Sequence, residues 1–185
     1  CPGGLGGWTH FIKKPLLAPL ELTIGASGRI DASGNEITPI NEKQLQEDLQ
    51  ALLSKNEVEA LTISLINSYI NPEHEKTVKK IAERIFKDIP ISISSDVIPE
   101  MQEYERAETT VLNSYVRPEV SKYVNNLQKN LNLKIGSDVQ LSILRSDGGL
   151  ASSRSTADSP VNHLMSGPAG GVAGAIHFCN KSGFK

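Results

Sequence analysis

Cysteine is nearly absent from this chain of 185 residues, and the two that occur, Cys1 and Cys179, form no Cys-x-x-Cys pair. A disulfide framework and a zinc knot are thereby excluded, and a reducing compartment is implied. Histidine is scarce too, at four residues, and these assemble no ligand set. Val78 stands where the second His of a zinc-protease helix would follow His74-Glu75, and His177 and Cys179 point to different helix faces. No metal site is therefore expected. There is no Gly-x-Ser-x-Gly elbow for a nucleophilic serine. No apolar run approaches the roughly 20 residues that span a bilayer, and no basic-then-apolar signal opens the chain. A soluble, cytoplasmic protein with no membrane role is expected. Basic excess is missing as well: the net charge is -2. Lys13-Lys14 and Lys79-Lys80 are each followed by apolar or acidic residues, which makes them solvated faces. Nucleic acid, which needs a clustered basic surface, is not an expected partner.

Apolar residues supply 38% of the chain against 22% charged, enough for one medium domain or one lobe of a larger protein. The sequence opens on Cys1-Pro2-Gly3-Gly4 and ends on Gly183-Phe184-Lys185, which reads as a segment of something longer. Residues 1–19 are rich in Gly and Pro and read as a loop with Trp8 and Phe11 as anchors; residues 20–185 read as a single α/β domain. Extended chain is expected at 20–24 and 36–40, with a turn at Ala32-Ser33-Gly34-Asn35 making a hairpin. Asn41, Gln44 and the Ile40/Leu45 pair predict a capped helix with Leu45, Leu49, Leu52 and Leu53 on its apolar face. Val58 to Ile66 reads as a strand apolar or small on both sides. Asn71-Pro72 opens a helix carrying Val78, Ile81, Ile85 and Phe86 inward.

A second strand is expected at 91–95, then a polar stretch from Pro99 to Arg106. A long helix follows at 107–131, interrupted near Arg117-Pro118 because the residue before proline is pushed out of the helical region. Val120, Tyr123, Val124, Leu127 and Leu131 share one face of its second half. A third strand at 139–144 and a small-residue helix at 166–178 complete the order strand, helix, strand, helix, strand, helix. That order predicts a mostly parallel sheet with helices on both faces.

Three stretches carry the candidate chemistry. Arg145-Ser146-Asp147-Gly148-Gly149 follows the third strand, where ligands of parallel sheets bind and glycine lets amides turn toward an anion; it reads equally as a plain Asp-Gly-Gly turn. Gly170, Gly171 and Gly174 in one helix cost about 3 kcal/mol relative to alanine, which close packing, a hinge or phosphate binding at the helix start would offset. Glu100, Glu103, Glu105, Arg106 and Glu108 form either an acid-base cluster or a solvated helix start.

Five passages resemble the ATP-dependent large subunit of the hydantoinase/oxoprolinase family, whose relatives include ketone carboxylase subunits. They are residues 67–75 (Asn67 to Glu75), 99–106, 110–118, Ser146-Asp147-Gly148-Gly149-Leu150 and 166–172, in that order. The resemblance implies part of one lobe of the actin-like/sugar-kinase ATPase fold, with the Gly167–Phe178 stretch as a connecting helix. It implies that a cyclic amide or ketone is activated by phosphorylation from ATP with Mg2+, with a second subunit or domain completing the reaction. Its two phosphate loops are expected outside this chain, so none of that cofactor chemistry is expected of the segment alone. Arg106 and Asp147 follow the second and third strands, whose ends neighbouring parallel strands would bring to one sheet edge, and both are expected to border the reaction cleft as catalytic residues, with Ser146, Gly148 and Gly149 beside the bound group. In the plainer reading Arg106 pairs with Glu103 or Glu105, and Asp147 only shapes the Gly148-Gly149 turn. The other reading of the whole chain is a non-catalytic α/β interaction or regulatory module.

Overall fold

The structure, a computed structural model, describes residues 16–55, 57–136 and 139–183. The loop anchors Trp8 and Phe11 lie outside the described residues. The described chain begins with a 3-10 turn at Leu20–Leu22, closed by the Leu22 N–H on the Pro19 carbonyl. That turn displaces the extended segment expected at 20–24. Extended backbone follows instead, with Ile24 and Ala26 packed on the core. The hairpin forms later, from β1 (Arg29–Ile30) and β2 (Glu36–Thr38), which are antiparallel. Its turn is fixed by Asp31, whose Oδ1 accepts the N–H groups of Ser33 and Asn35 at 2.8 Å each. Gly34 turns there at φ +86°, a left-handed conformation that glycine adopts without penalty.

Helix α1 (Glu42–Lys55) starts where its cap predicts, with Asn41 Oδ1 accepting the Gln44 N–H at 3.2 Å. Leu45, Leu49 and Leu52 are buried at helical spacing, whereas Leu53 turns outward at 39% exposure. Strand β3 (Leu61–Ile63), helix α2 (Glu73–Ile85) and strand β4 (Ile91–Ile93) follow. The two strands pair in parallel, Leu61 with Ile91, Thr62 with Ser92 and Ile63 with Ile93. Ile63, Ile91 and Ile93 meet Leu45, Leu49, Val78 and Phe86 in one apolar cluster beneath α1 and α2. Thr62 and Ser92, one residue out of phase, face the other way, as a period of two requires.

That second face is covered by α4 (Glu103–Lys134), reached through the short helix α3 (Ser94–Val97). The expected break at Arg117-Pro118 does not occur, and α4 runs through both residues. Proline there removes one backbone bond, at about 3 kcal/mol in a helix interior. The turns on either side are anchored to the sheet: Ser114 Oγ accepts from Thr62 Oγ1 at 2.7 Å, and Arg117 Nη1 donates to the Ile91 carbonyl at 2.7 Å. Of the apolar face expected further on, Val124 is buried while Tyr123 is exposed.

The third strand departs most from expectation. β5 (Ser142–Leu144) pairs antiparallel with β6 (Leu150–Ser152) and not with β4. The tight turn between them folds the chain straight back, with the Arg145 N–H on the Gly149 carbonyl at 2.8 Å and Gly148 at φ +83°. The described residues therefore form three two-stranded sheets, one of them parallel, in place of a single mostly parallel sheet. Helix α5 (Ser153–Asp158), a 3-10 turn at Pro160–His163 and helix α6 (Ser166–Lys181) end the chain. No side chain of α6 is buried. The close-packing explanation of its glycines holds at Gly170, where an added Cβ would meet Leu144 Cδ2 at 2.7 Å, and fails at Gly174, which faces open space. No helix among the described residues is long and apolar enough to cross a membrane.

Candidate functional site

The chain folds its most unusual chemistry into the carboxyl ends of β3 and β4, the side of a parallel sheet where ligands commonly bind. Glu75, Ser94, Arg106 and Thr110 are wholly buried there, with Ser68 at 1% exposure. Buried polar groups are tolerated when each finds a partner. Here the partners form one connected network.

Glu75, in the first turn of α2, is its acceptor. Its Oε1 takes the Leu65 N–H at 2.8 Å and the Ser94 hydroxyl at 2.6 Å, and its Oε2 takes the Ser95 N–H at 2.9 Å. Arg106, in the first turn of α4, is its donor. Nε donates to Ser94 Oγ at 3.0 Å, Nη1 to the Glu100 carbonyl at 2.8 Å, and Nη2 to the Leu65 carbonyl at 2.8 Å and to the Glu103 carboxylate. The Tyr69 ring lies 5.6 Å from the guanidinium carbon, within cation-π range. A serine has one proton to give and two lone pairs to fill. Ser94 gives its proton to Glu75 and accepts from Arg106, so Ser68, 3.1 Å away, must be the donor of their shared bond.

The network ties two loops together. Residues 64–71 after β3 are held by Glu75 and Arg106 at Leu65, and by Glu103 Oε1, which accepts the Asn67 N–H at 3.0 Å. Asn67 sits at φ +60°, and its amide donates to the Ile30 carbonyl at 2.9 Å, joining the β1–β2 hairpin to this loop. Residues 94–102 after β4 are held at Ser94, Ser95 and Glu100. These loops expose Ile66, Ile70 and Met101 beside the polar Asp96, Glu100 and Gln102.

Arg106 thus stands inside the polar core, and its pairing with Glu103, the plainer of its two expected roles, is formed. It is 0% exposed in this arrangement. Asp147 lies in the turn between β5 and β6, where Oδ1 accepts the Gly149 N–H at 2.9 Å and Oδ2 pairs with Arg145 at 3.0 Å. The structure does not join Arg106 to Asp147 by any hydrogen bond or ion pair among the described residues. With the antiparallel pairing of β5, neighbouring parallel strands no longer bring both to one sheet edge.

In the 145–149 turn the amides of Arg145, Ser146, Gly148 and Gly149 are engaged within the fold. A phosphate cradle needs amides that are free to turn toward an anion. The N–H of Arg145 goes to Gly149, that of Ser146 to the Asn162 carbonyl at 2.7 Å, that of Gly148 to Arg145, and that of Gly149 to Asp147. Ser146 Oγ accepts the Met165 N–H at 3.0 Å, so Ser146 fastens the turn to the start of α6. Among the described residues no group of three or more His, Cys, Asp or Glu side chains is placed to hold a metal ion.

Sequence reasoning missed Glu75, Ser94 and Asn113. A signal for the first was present. Val78, Ile81 and Ala82 mark the buried stripe of α2, and Glu75 continues that stripe one turn back. A charge on a core face is the mark of a buried ion network. Asn113 lies seven residues after Arg106 and three after Thr110, so α4 carries a polar buried face of the same kind. Its Nδ2 donates to Ser92 Oγ at 3.1 Å, and its Oδ1 accepts the Val161 N–H at 3.2 Å.

Two family models match the chain: hydantoinase/oxoprolinase over residues 106–185 and hydantoinase/oxoprolinase N-terminal region over residues 8–86. The gamma subunit of acetophenone carboxylase from Aromatoleum aromaticum is 31% identical over 180 residues, which cover 94% of this chain and 24% of that protein. The nucleotide-free structure of acetone carboxylase, solved for the mechanism of ATP-dependent acetone carboxylation, superposes with a TM-score of 0.77. It is 30% identical over 96% of this chain and 25% of that one. The ATP-dependent caprolactamase of Pseudomonas jessenii superposes with a TM-score of 0.75 at 27% identity, over 86% of this chain and 23% of that one. The chain therefore spans about a quarter of the length of the relatives it matches.

Proposed function

This chain belongs to the hydantoinase/oxoprolinase family, and on that premise we propose that it is part of an ATP-dependent subunit that activates a cyclic amide or a ketone by phosphorylation. The observation that carries the proposal is likeness to two kinds of enzyme, a ketone carboxylase and a lactam hydrolase, both described as ATP-dependent. One chemistry serves both. An unstrained amide is a poor acyl donor and a ketone enolate a fleeting nucleophile. Transfer of the terminal phosphoryl group of ATP to the amide or enolate oxygen leaves ADP and a phosphorylated substrate. Attack by water, or carboxylation, then releases phosphate.

ATP and Mg2+ act in this reading as co-substrate and counter-ion held by other parts of the protein, since the Ser146, Gly148 and Gly149 amides are engaged within the fold. The contribution of this chain is positional. Arg106 sets the loops at 64–71 and 94–102, and Asp147 with Ser146, Gly148 and Gly149 sets the turn that meets α6. A second subunit or domain completes the reaction, as the subunit names of the relatives suggest.

Two measurements test this. ADP release by a family-length polypeptide carrying this chain is expected to depend on an added lactam or ketone; release indifferent to both would leave the scaffold as an interaction module. Calorimetric titration of the 185-residue chain with ATP and Mg2+ is expected to show no heat of binding. A low-micromolar Kd would put the nucleotide site within this segment.

A further inference from the structure

Ile66, in the loop after β3, is 58% exposed, yet both of its neighbours in the chain are held fast. The Leu65 N–H goes to Glu75 Oε1 at 2.8 Å, and the Leu65 carbonyl accepts Arg106 Nη2 at 2.8 Å. The Asn67 N–H goes to Glu103 Oε1 at 3.0 Å, and its side-chain amide to the Ile30 carbonyl at 2.9 Å. All but the last of these bonds are made with charged side chains, which form the stronger kind. Among the described residues Asn67 is also the one non-glycine with a positive φ, at +60°. A left-handed asparagine costs energy and persists where its surroundings over-determine it, and such positions cluster at functional sites. In extended chain residues 66 and 68 would share a face. With Asn67 turned between them, Ser68 enters the polar core beside Ser94 at 1% exposure, while Ile66 stays outside. Ile70, the other exposed isoleucine of this loop, packs on the hairpin, where a Cβ on Gly34 would stand 2.8 Å from its Cγ2. Ile66 belongs neither to the apolar core cluster nor to the residues packed on it.

We propose that Ile66 is a specificity-determining residue that meets the hydrocarbon part of the lactam or ketone, an inference that rests on the function proposed above. Three observations argue for a small molecule at this position. The loop leaves the carboxyl end of β3 in a parallel pair, the side on which ligands of such sheets bind. Asp96, Glu100 and Gln102 are exposed on the companion loop, so Ile66 stands in polar surroundings and not in the broad apolar patch that marks a protein interface. Sites for small molecules combine apolar contacts with a few placed polar groups, which suits a neutral substrate whose only polar part is a carbonyl or an amide. Finally, a residue that sorts substrates by size has to be held in place by the residues around it. The bonds at Leu65 and Asn67 do this for Ile66, and a side chain that met only water would need none of them.

Steady-state ADP release by a family-length polypeptide carrying this chain tests the proposal. The substrates are pyrrolidinone, piperidinone and caprolactam as one series, and acetone, butanone and acetophenone as the other. In whichever series the wild type turns over, Ile66→Ala should raise KM for the largest member about tenfold, as loss of an apolar contact in a binding pocket does. Its kcat should stay within about twofold, because the contact serves ground state and transition state alike. The smallest member should change less, so the ratio of kcat/KM between large and small substrates falls. Ile66→Val should move that ratio in the same direction by a smaller step, and it carries the test should Ile66→Ala lower the melting temperature. Leu133→Ala, at an exposed position near the end of α4, should move no ratio. A KM that rises equally for every member, or a kcat that falls with the ratios unchanged, would overturn the assignment, since a residue that only shapes the loop or touches another part of the protein would act in that way. Wild-type ADP release indifferent to all of these compounds would overturn the proposed function and this inference together. Substrate-dependent release with wild-type ratios in both Ile66 variants would overturn the inference alone.

Discussion

Glu75 and Arg106 hold the same atom, Ser94 Oγ, from opposite sides: the carboxylate accepts its proton at 2.6 Å and the guanidinium donates to it at 3.0 Å. A hydroxyl between a buried anion and a buried cation transmits what happens at either. The first turns of two helices, α2 and α4, are thereby locked to the ends of two strands.

Arg106→Lys should therefore destabilise the chain, although it keeps the charge. A lysine ammonium cannot span Ser94, Glu100, Leu65 and Glu103 as the planar fork does. The Ser94 hydroxyl it abandons is buried and the Leu65 carbonyl partly so, whereas Glu103 is 42% exposed, so the loss is about 1 to 3 kcal/mol. Urea unfolding measures this directly. An unchanged midpoint would mean that the network adds nothing to stability and that Arg106 is retained for another reason.

Glu75→Gln tests the opposite end. Glutamine keeps the shape, but one of its terminal atoms becomes a donor facing the N–H of Leu65 or Ser95. The expected loss is about 1 to 3 kcal/mol. Combined with Arg106→Lys, the two losses should fall short of their sum, because the first change already frees Ser94. A coupling of about 0.5 kcal/mol or more in the double-mutant cycle is expected; strict additivity would show that Ser94 does not connect them.

Local elements were legible in the sequence and non-local ones were not. The cap of α1 rests on Asn41 and Gln44, neighbours along the chain, so residue type alone revealed it. The pairing of β5 was decided by its return turn, and a strand pattern at 139–144 does not say which partner it takes. Pro118 misled for the same reason: its local cost was readable, while the anchoring of Ser114 and Arg117 to β3 and β4 was not. Arg106 stood in an acidic run typical of a solvated helix start. Only the spacing of Arg106, Thr110 and Asn113, which puts three polar residues on one face, hinted that the face was buried.

Acid should loosen the β1–β2 hairpin. The Asn35 backbone and side-chain hydrogen bonds, with those from Ser33 and Gly34, hold the Asp31 carboxyl below its ordinary value of 3.8. A carboxyl depressed in the folded state contributes stability that is complete above the unfolded value and is lost as pH falls through the folded one. The amide shifts of Ser33 and Asn35 should accordingly titrate with a midpoint under 3.8, and Asp31→Asn should abolish that transition. A midpoint at or above the ordinary value would show that the turn bonds do not favour the ionised form.

The two glycines of α6 should separate cleanly on enlargement. Gly170 lies against Leu144 of β5, and a Cβ there would approach Leu144 Cδ2 to 2.7 Å. Gly170→Leu must push that strand or the helix aside, and overpacking of this kind costs about 1 to 3 kcal/mol. Gly174 meets nothing within 4 Å. Gly174→Leu should be neutral or slightly stabilising in this chain, because leucine is the better helix former by up to about 1 kcal/mol. The same substitution carries a second reading. Val172, Ile176 and Phe178 are exposed around it, so α6 offers an apolar surface with a small residue in its midst. In a longer polypeptide that covers this surface, Gly174→Leu should become destabilising while Gly170→Leu keeps its cost. Thermal melting of both variants in both lengths of chain decides the matter. Equal behaviour of Gly174→Leu in the two would mean that α6 stays open to solvent.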